Sequence, residues 1–341
     1  MSTHNGARSA RQLVLAALRE GERFVLTTHE HPDGDALGSL AAMQQVLDAM
    51  GKDAVSFLAA DEFPLPYEYR FLQLPQLVTA VPDDVEDRTV IFLDCGNIDR
   101  NPAEELKQAG RILNIDHHHD NTRFGTVDHV VPDASCTAEI IWDLMQALDV
   151  ELTQPIAEAL YVGLVTDTGK FMYENTGSRA HLMAADLIGA GIDVHAIYRR
   201  LYEGVPQGKL ELLARGLGAV ERFDGGLLTV TQLTREDYAV TGADESYSEG
   251  VVDHLRSVEG TAVAGLVREL LPRPEDAAPL GSPSAPTRRK VSLRASDDRI
   301  DVSAIARALG GGGHRRAAGF STDLGFPELV EVLRAELARQ L

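Results

Sequence analysis

At 341 residues the chain is longer than one hydrophobic core usually supports, so two domains are expected, and its 44% hydrophobic and 25% charged residues set it apart from disordered chains. Acidic side chains outnumber basic ones 52 to 32, and the net charge of -20 argues against broad attraction to long duplex nucleic acid. No apolar run reaches the roughly 18 to 20 residues that span a bilayer, Leu13 to Leu18 is too short for a secretion signal, and Cys95 and Cys136 cannot build a disulfide framework, so a cytoplasmic protein with no membrane partner is expected.

The first half alternates short β-rich runs with amphipathic stretches, which predicts an α/β domain with a doubly wound, mainly parallel sheet. In chain order, Arg23 to Thr28 (RFVLTT) reads as a strand and Ala36 to Met50 as a helix. Thr89 to Asp94 (TVIFLD) and Arg111 to Asp116 (RILNID) read as strands, Ser135 to Leu148 and Pro155 to Val165 as helices. This domain is expected to cover residues 1–200. A break at Gly204-Val205-Pro206 lies within a linker and connecting helix, 201–215, and residues 216–341 are expected to form a smaller α+β domain. Its strands are placed at Gly226 to Gln232 and Thr261 to Leu270, its helices at Asp301 to Leu309 and Pro327 to Leu341. A stretch dense in Pro, Ala and Ser, about 271–288, reads as an exposed insertion between strands.

Each of the three N-terminal strands runs into side chains that can ligate a metal: His29 to Asp35, then Asp94, then Asp116 to His119. Ligands of open α/β sheets bind outside the carboxyl ends of the strands, so these loops would converge on one site. Singly, each has a plainer reading. Asp33-Gly34-Asp35 is also a capped helix start, Asp94 a strand-end cap for the turn at Gly96-Asn97, and Asp167 a helix C-terminal turn. His31 has the weaker claim beside His29. A carboxylate closing the apolar run Val90 to Leu93 nonetheless needs a cation or donors to offset its burial. Oxygen-rich ligation with a minority of imidazole suits Mn²⁺ or Mg²⁺ better than zinc, and two such ions sharing a carboxylate suit hydrolysis of phosphate esters.

From Pro286 to Arg316 eight basic residues face three aspartates, a local +5 in an acidic chain. Gly310 to Gly313 could bend into an anion-binding nest beside these arginines, or serve as a hinge or tight turn.

Together, HEHPDGDALGS from His29, the Asp94 strand end, the DHH of Asp116 to His118, TDTGKF around Asp167 and GGGGH at Gly310 to His314 resemble the DHH phosphoesterase superfamily with its DHH-associated C-terminal domain. The motifs follow the family's order over almost the whole chain, and they look most like the bacterial nanoRNase and 3′-phosphoadenosine 5′-phosphate phosphatase branch. The resemblance implies two Mn²⁺ ions, with Mg²⁺ as the alternative, one held by His29, Asp33 and Asp94 and the other by Asp35, Asp94, His117 and Asp167. It implies catalytic roles for Asp94 as the bridging ligand, for His118 facing the substrate phosphate or leaving group, and for Asp116 orienting the imidazoles. Substrate binding falls to Arg294, Gly310, Gly311, Gly312, Gly313, His314 and Arg315.

The implied activity is hydrolysis of very short RNA to mononucleotides and of 3′-phosphoadenosine 5′-phosphate to AMP. Short single-stranded RNA and that bisphosphate are the expected partners, and homodimer formation is left open. Two alternatives stand beside it: a phosphodiesterase for cyclic or linear dinucleotides, and a noncatalytic RNA-binding module. The sequence departs from the pattern at His119, an extra imidazole, and at Ala295, where relatives often carry serine after the arginine.

Overall fold

The computed structural model describes residues 9–271 and 287–341, and the chain divides into two compact units, Met1–Gly204 and Val205–Leu341. Most of the expected insertion at 271–288 lies outside the described residues.

The first unit runs α1 (Ala10–Glu20), β1 (Arg23–Thr27), α2 (Gly34–Ala49), β2 (Asp53–Phe57), β3 (Leu77–Val78), β4 (Thr89–Leu93), α3 (Glu104–Lys107), β5 (Ile112–Asp116) and β6 (Val127–Val130). Four helices follow: α4 (Thr137–Ala147), α5 (Gln154–Asp167), α6 (Ser178–Gly189) and α7 (Val194–Tyr202). The six strands form a parallel sheet in the order β3-β2-β1-β4-β5-β6. The order reverses between β1 and β4, and that reversal opens a crevice at the carboxyl ends of these two strands.

Strands β4 and β5 are buried along their whole length, as expected for central strands covered on both faces. One core packs α2, α4 and α5 against Phe24, Leu26, Ile91, Leu93 and Leu113. A smaller cluster around Val25, Phe92 and Leu106 fills the opposite face. Helix α2 has small or apolar residues on every side, and Gly34 to Gln44 are all buried, so it lies inside the unit instead of on its surface. Each of its fully buried large side chains, Leu37, Leu40, Met43 and Leu47, contributes about 1.5–3 kcal/mol of hydrophobic stabilisation.

The second unit contains α8 (Gln207–Gly218), β7 (Glu221–Phe223), β8 (Leu228–Leu233), α9 (Arg235–Thr241), α10 (Val251–Arg256) and β9 (Val263–Glu269). It continues with β10 (Arg289–Ala295), α11 (Val302–Ala308), β11 (Gly312–His314), β12 (Ala317–Thr322) and α12 (Phe326–Ala338). Its mixed sheet has the order β11-β12-β10-β9-β8-β7, with β8 and β9 parallel and the other pairs antiparallel. Among the described residues no single helix is long and apolar enough to cross a membrane.

The glycine run forms a helix end followed by a paired strand, not an open nest. Gly310, at φ 81°, ends α11, and the amides of Gly310 and Gly311 donate to the carbonyls of Arg307 and Ala306. Gly312 to His314 pair with Ala317 to Gly319. A side chain at Gly311 would strike the carbonyl of Gly319 and the side chain of Phe320, so glycine there permits close strand packing.

Candidate metal centre

Six side chains from four segments meet at the crevice between β1 and β4. His29 follows β1, Asp33 and Asp35 open α2, Asp94 follows β4, His117 follows β5, and Asp167 is the last residue of α5. They group as His29 with Asp33 and Asp94, and as Asp35 with His117 and Asp167, while Asp94 and His117 also group with His118, the candidate ligand atoms of each group lying within 4.8 Å of one another.

Asp94 stands between the groups. One carboxylate oxygen lies 3.7 Å from His29 Nε2, and the other lies 3.6 Å from His117 Nε2 and from His118 Nδ1. Its backbone takes the left-handed conformation, φ 55°, uncommon for a residue with a side chain, as the strand gives way to the loop. Burial pushes the Asp94 carboxyl up, but the facing imidazoles of His29, His118 and His117 outweigh it and hold the group well below the usual carboxylate range.

The helix-cap reading of the first segment holds. One oxygen of Asp33 accepts from the amides of Asp35 and Ala36 at 3.1 Å, which caps α2. Gly34 is an ordinary helical residue, and it is glycine because a side chain there would collide with Thr166 of α5. Asp35 is 1% exposed and accepts from the amides of Thr137 and Ala138, at 2.6 and 3.0 Å, so it caps α4 from a neighbouring helix. These donors sit at the positive end of α4, where negative charge is favoured.

The donor set fits a divalent cation. Burial, then the like charges of Asp94, Asp167 and Asp33, push the Asp35 carboxyl well up. Burial and the same repulsion push Asp167 up to about 7, against the opposing pull of His117. Carboxylates crowded this way resist ionising together unless positive charge is placed among them. His117 turns Nε2 toward Asp94 and toward Asp167, 3.7 Å away, while its Nδ1 lies 3.4 Å from the carbonyl of Ala134. Burial pushes the thiol of Cys95 up to about 12 and that of Cys136 well up, so neither thiol is a ready anionic ligand.

His118 stands beside the cluster, its Nδ1 donating to Asp116 at 2.6 Å. Asn121, its side-chain amide 2.5 Å from the second oxygen of Asp116, holds that carboxylate from the other side. His119 and His31 are exposed, and His31 pairs with Glu62 instead of joining the cluster. Asn175 returns the chain to Asp167, its amide 3.1 Å from the carboxylate and 2.8 Å from the carbonyl of Ser135. Asn121, Thr137 and Asn175 are absent from the expected site; each reads locally as a turn or cap residue, so nothing in its own segment marks it.

In the second unit, Arg294 and His314 both stand opposite Ala317, which puts them in one row across β10, β12 and β11 and on one face of the sheet. Arg294 lies 3.5 Å from Asp253. Arg315 is exposed and donates to the carbonyl of Asp298.

Residues 23–164 match the DHH family, N-terminal domain, and residues 238–341 match the DHHA1 domain. A bifunctional oligoribonuclease and PAP phosphatase NrnA of Thermus thermophilus is 33% identical over 335 residues, spanning 96% of this chain and 93% of the relative. The protein of the same name from Bacillus subtilis is 23% identical over 306 residues, spanning 88% and 89%. Among solved structures, an exopolyphosphatase-related protein from Bacteroides fragilis shares the fold with a TM-score of 0.83 at 22% identity, covering 99% of this chain and 98% of the other.

Proposed function

Because the chain belongs to the DHH family, we propose that it is a divalent-metal-dependent phosphoesterase that degrades very short RNA to mononucleotides and removes a phosphate from 3′-phosphoadenosine 5′-phosphate to leave AMP. The observation that carries this reading is the meeting of His29, Asp33, Asp35, Asp94, His117 and Asp167 in one crevice. The near full-length likeness to relatives named for both activities supports the choice of substrate.

Two ions are proposed, manganese in preference to magnesium: one with His29, Asp33 and Asp94, the other with Asp35, Asp94, His117 and Asp167. When bound, such ions polarise a phosphoryl oxygen and lower the pKa of water. Hydrolysis forms a bond from water oxygen to phosphorus and breaks the bond to the ester oxygen, which leaves needing a proton. His118, held cationic by Asp116, is the side chain assigned to neutralise the phosphate and to supply that proton.

In the second unit, the row of Arg294 and His314, with Arg315 and the strand Gly312 to His314, is proposed to bind the remaining nucleotide. The nest role of the Gly310 and Gly311 amides is dropped, because both are committed to α11. A short substrate suits a chain of charge -20, since few phosphates need neutralising. A cytoplasmic location is part of the same proposal.

The test is a panel run with the full chain and defined Mn²⁺ or Mg²⁺. RNA dimers to pentamers and 3′-phosphoadenosine 5′-phosphate should be consumed faster than cyclic di-AMP and pyrophosphate. Intact RNA dimers to pentamers after incubation with Mn²⁺ would overturn the proposal.

A further inference from the structure

The two most deeply buried carboxylates of the centre are held by one residue that ligates nothing. Cys136, which precedes α4, offers no side-chain cap, so the helix start takes its acceptor from elsewhere. The amide of Thr137 donates to one oxygen of Asp35 at 2.6 Å, and the next amide, that of Ala138, donates to the other at 3.0 Å. The hydroxyl of the same Thr137 donates to Asp94 at 3.0 Å. Thr137 is fully buried, and the oxygen of Asp94 that it meets is the one facing His117 and His118.

We propose that Thr137 is a positioning residue that sets the spacing between Asp35 and Asp94, and through them the affinity of the centre for its metal. The proposal rests on the metal reading above. Its main chain fixes one carboxylate and its side chain the other, so the two cannot drift apart without breaking a buried hydrogen bond. A threonine suits the task because its β-branch stiffens χ1 and the first turn of α4 fixes its backbone. In a site of low dielectric, oriented donors of this kind set which oxygen lone pairs remain for the ion.

Binding of Mn²⁺ alone to the full chain, followed by electron paramagnetic resonance of the unbound ion, tests this without any substrate. Thr137→Val keeps the shape and both amides but lacks the hydroxyl, and it should bind Mn²⁺ about 10–100-fold more weakly, as loss of a ligand-orienting partner typically does. Thr137→Ala should weaken binding similarly, which guards against a steric effect of the extra methyl. Thr137→Ser, which restores the hydroxyl, should bind close to the wild type, and melting curves in EDTA should show all four proteins folded. Wild-type affinity in the Val and Ala variants overturns the assignment, as does equal weakening in the Ser variant. A wild-type chain that takes up no Mn²⁺ brings down the metal reading itself, a different result from either.

Discussion

The carboxylate of Asp116 lies 2.6 Å from Nδ1 of His118 and draws a proton onto a ring that burial alone would strip of charge. Burial lowers the pKa of His118, but the hydrogen bond and charge of Asp116, with the charge of Asp94, hold it up to about 10. The imidazolium is therefore the form expected at neutral pH.

A general acid or cationic contact at this position contributes about 10²–10⁴-fold to turnover. His118 also lies within ligand distance of Asp94 and His117, but the two proposed ligand sets leave it out, so His118→Ala should lower kcat on a short RNA by that order while Mn²⁺ binding persists. Steady-state kinetics paired with a metal titration decide it; equal loss in both would move His118 into the ligand set.

The raised pKa of His118 also fixes the sign of its pH effects. The folded pKa exceeds the ordinary value of 6.5, so its contribution to stability is complete below about 6.5 and is lost as pH rises through about 10. Replacing Asp116 with Asn removes the charge that retains the proton. The alkaline limb of kcat should then shift to lower pH, and a pH–rate profile identical to wild type would refute the pairing.

Asp167 shares this sign over a lower range of pH. Its folded pKa, about 7, lies above the ordinary 3.8, so the metal-free protein loses stability as pH rises between those values, where the folded chain holds a proton that the unfolded chain has released. Asp167→Asn should therefore melt above wild type in EDTA at pH 8, and the gap should close at acid pH. Metal uptake requires the carboxylate, so the rise in melting temperature produced by Mn²⁺ in the wild type should grow from pH 5.5 to 8. Scanning calorimetry with and without metal measures both.

Gly163, inside α5, leaves room for Asp35. A side chain there would come 2.7 Å from the Asp35 carboxylate and 2.8 Å from the Ala138 methyl. Glycine to alanine in a helix interior ordinarily stabilises by about 1 kcal/mol. Here Gly163→Ala should destabilise by about 1–3 kcal/mol through overpacking and weaken Mn²⁺ binding, as read by urea melts and metal titration.

The row of Arg294 and His314 gives a contrasting signature. Arg294→Ala should raise KM for RNA trimers with little change in kcat if the arginine binds the part of the nucleotide that does not react. Unchanged KM would remove Arg294 from the binding site.

Local sequence determined the types of element and the chemistry of the donors. Strands β1, β4 and β5 were legible because short apolar runs of β-formers end at polar residues, and α4 because its apolar residues recur at helical spacing, whereas α2 and α5, apolar on nearly every side, showed only a spacing compatible with a helix. The segments carrying His29 to Asp35, Asp94, Asp116 to His118 and Asp167 were legible for the same reason, since each follows such a run. Tertiary structure alone decided what these segments do to one another. The sheet order puts β1 beside β4, α4 presents Thr137 to two carboxylates at once, and Asn175 folds back on Asp167. In the second unit, pairing across β12 turned an apparent glycine nest into a packed strand and aligned His314 with Arg294. The physical reason is range: propensity and periodicity act over a few residues, whereas Thr137 meets carboxylates 43 and 102 positions away through contacts that exist only once the helices have packed on the sheet.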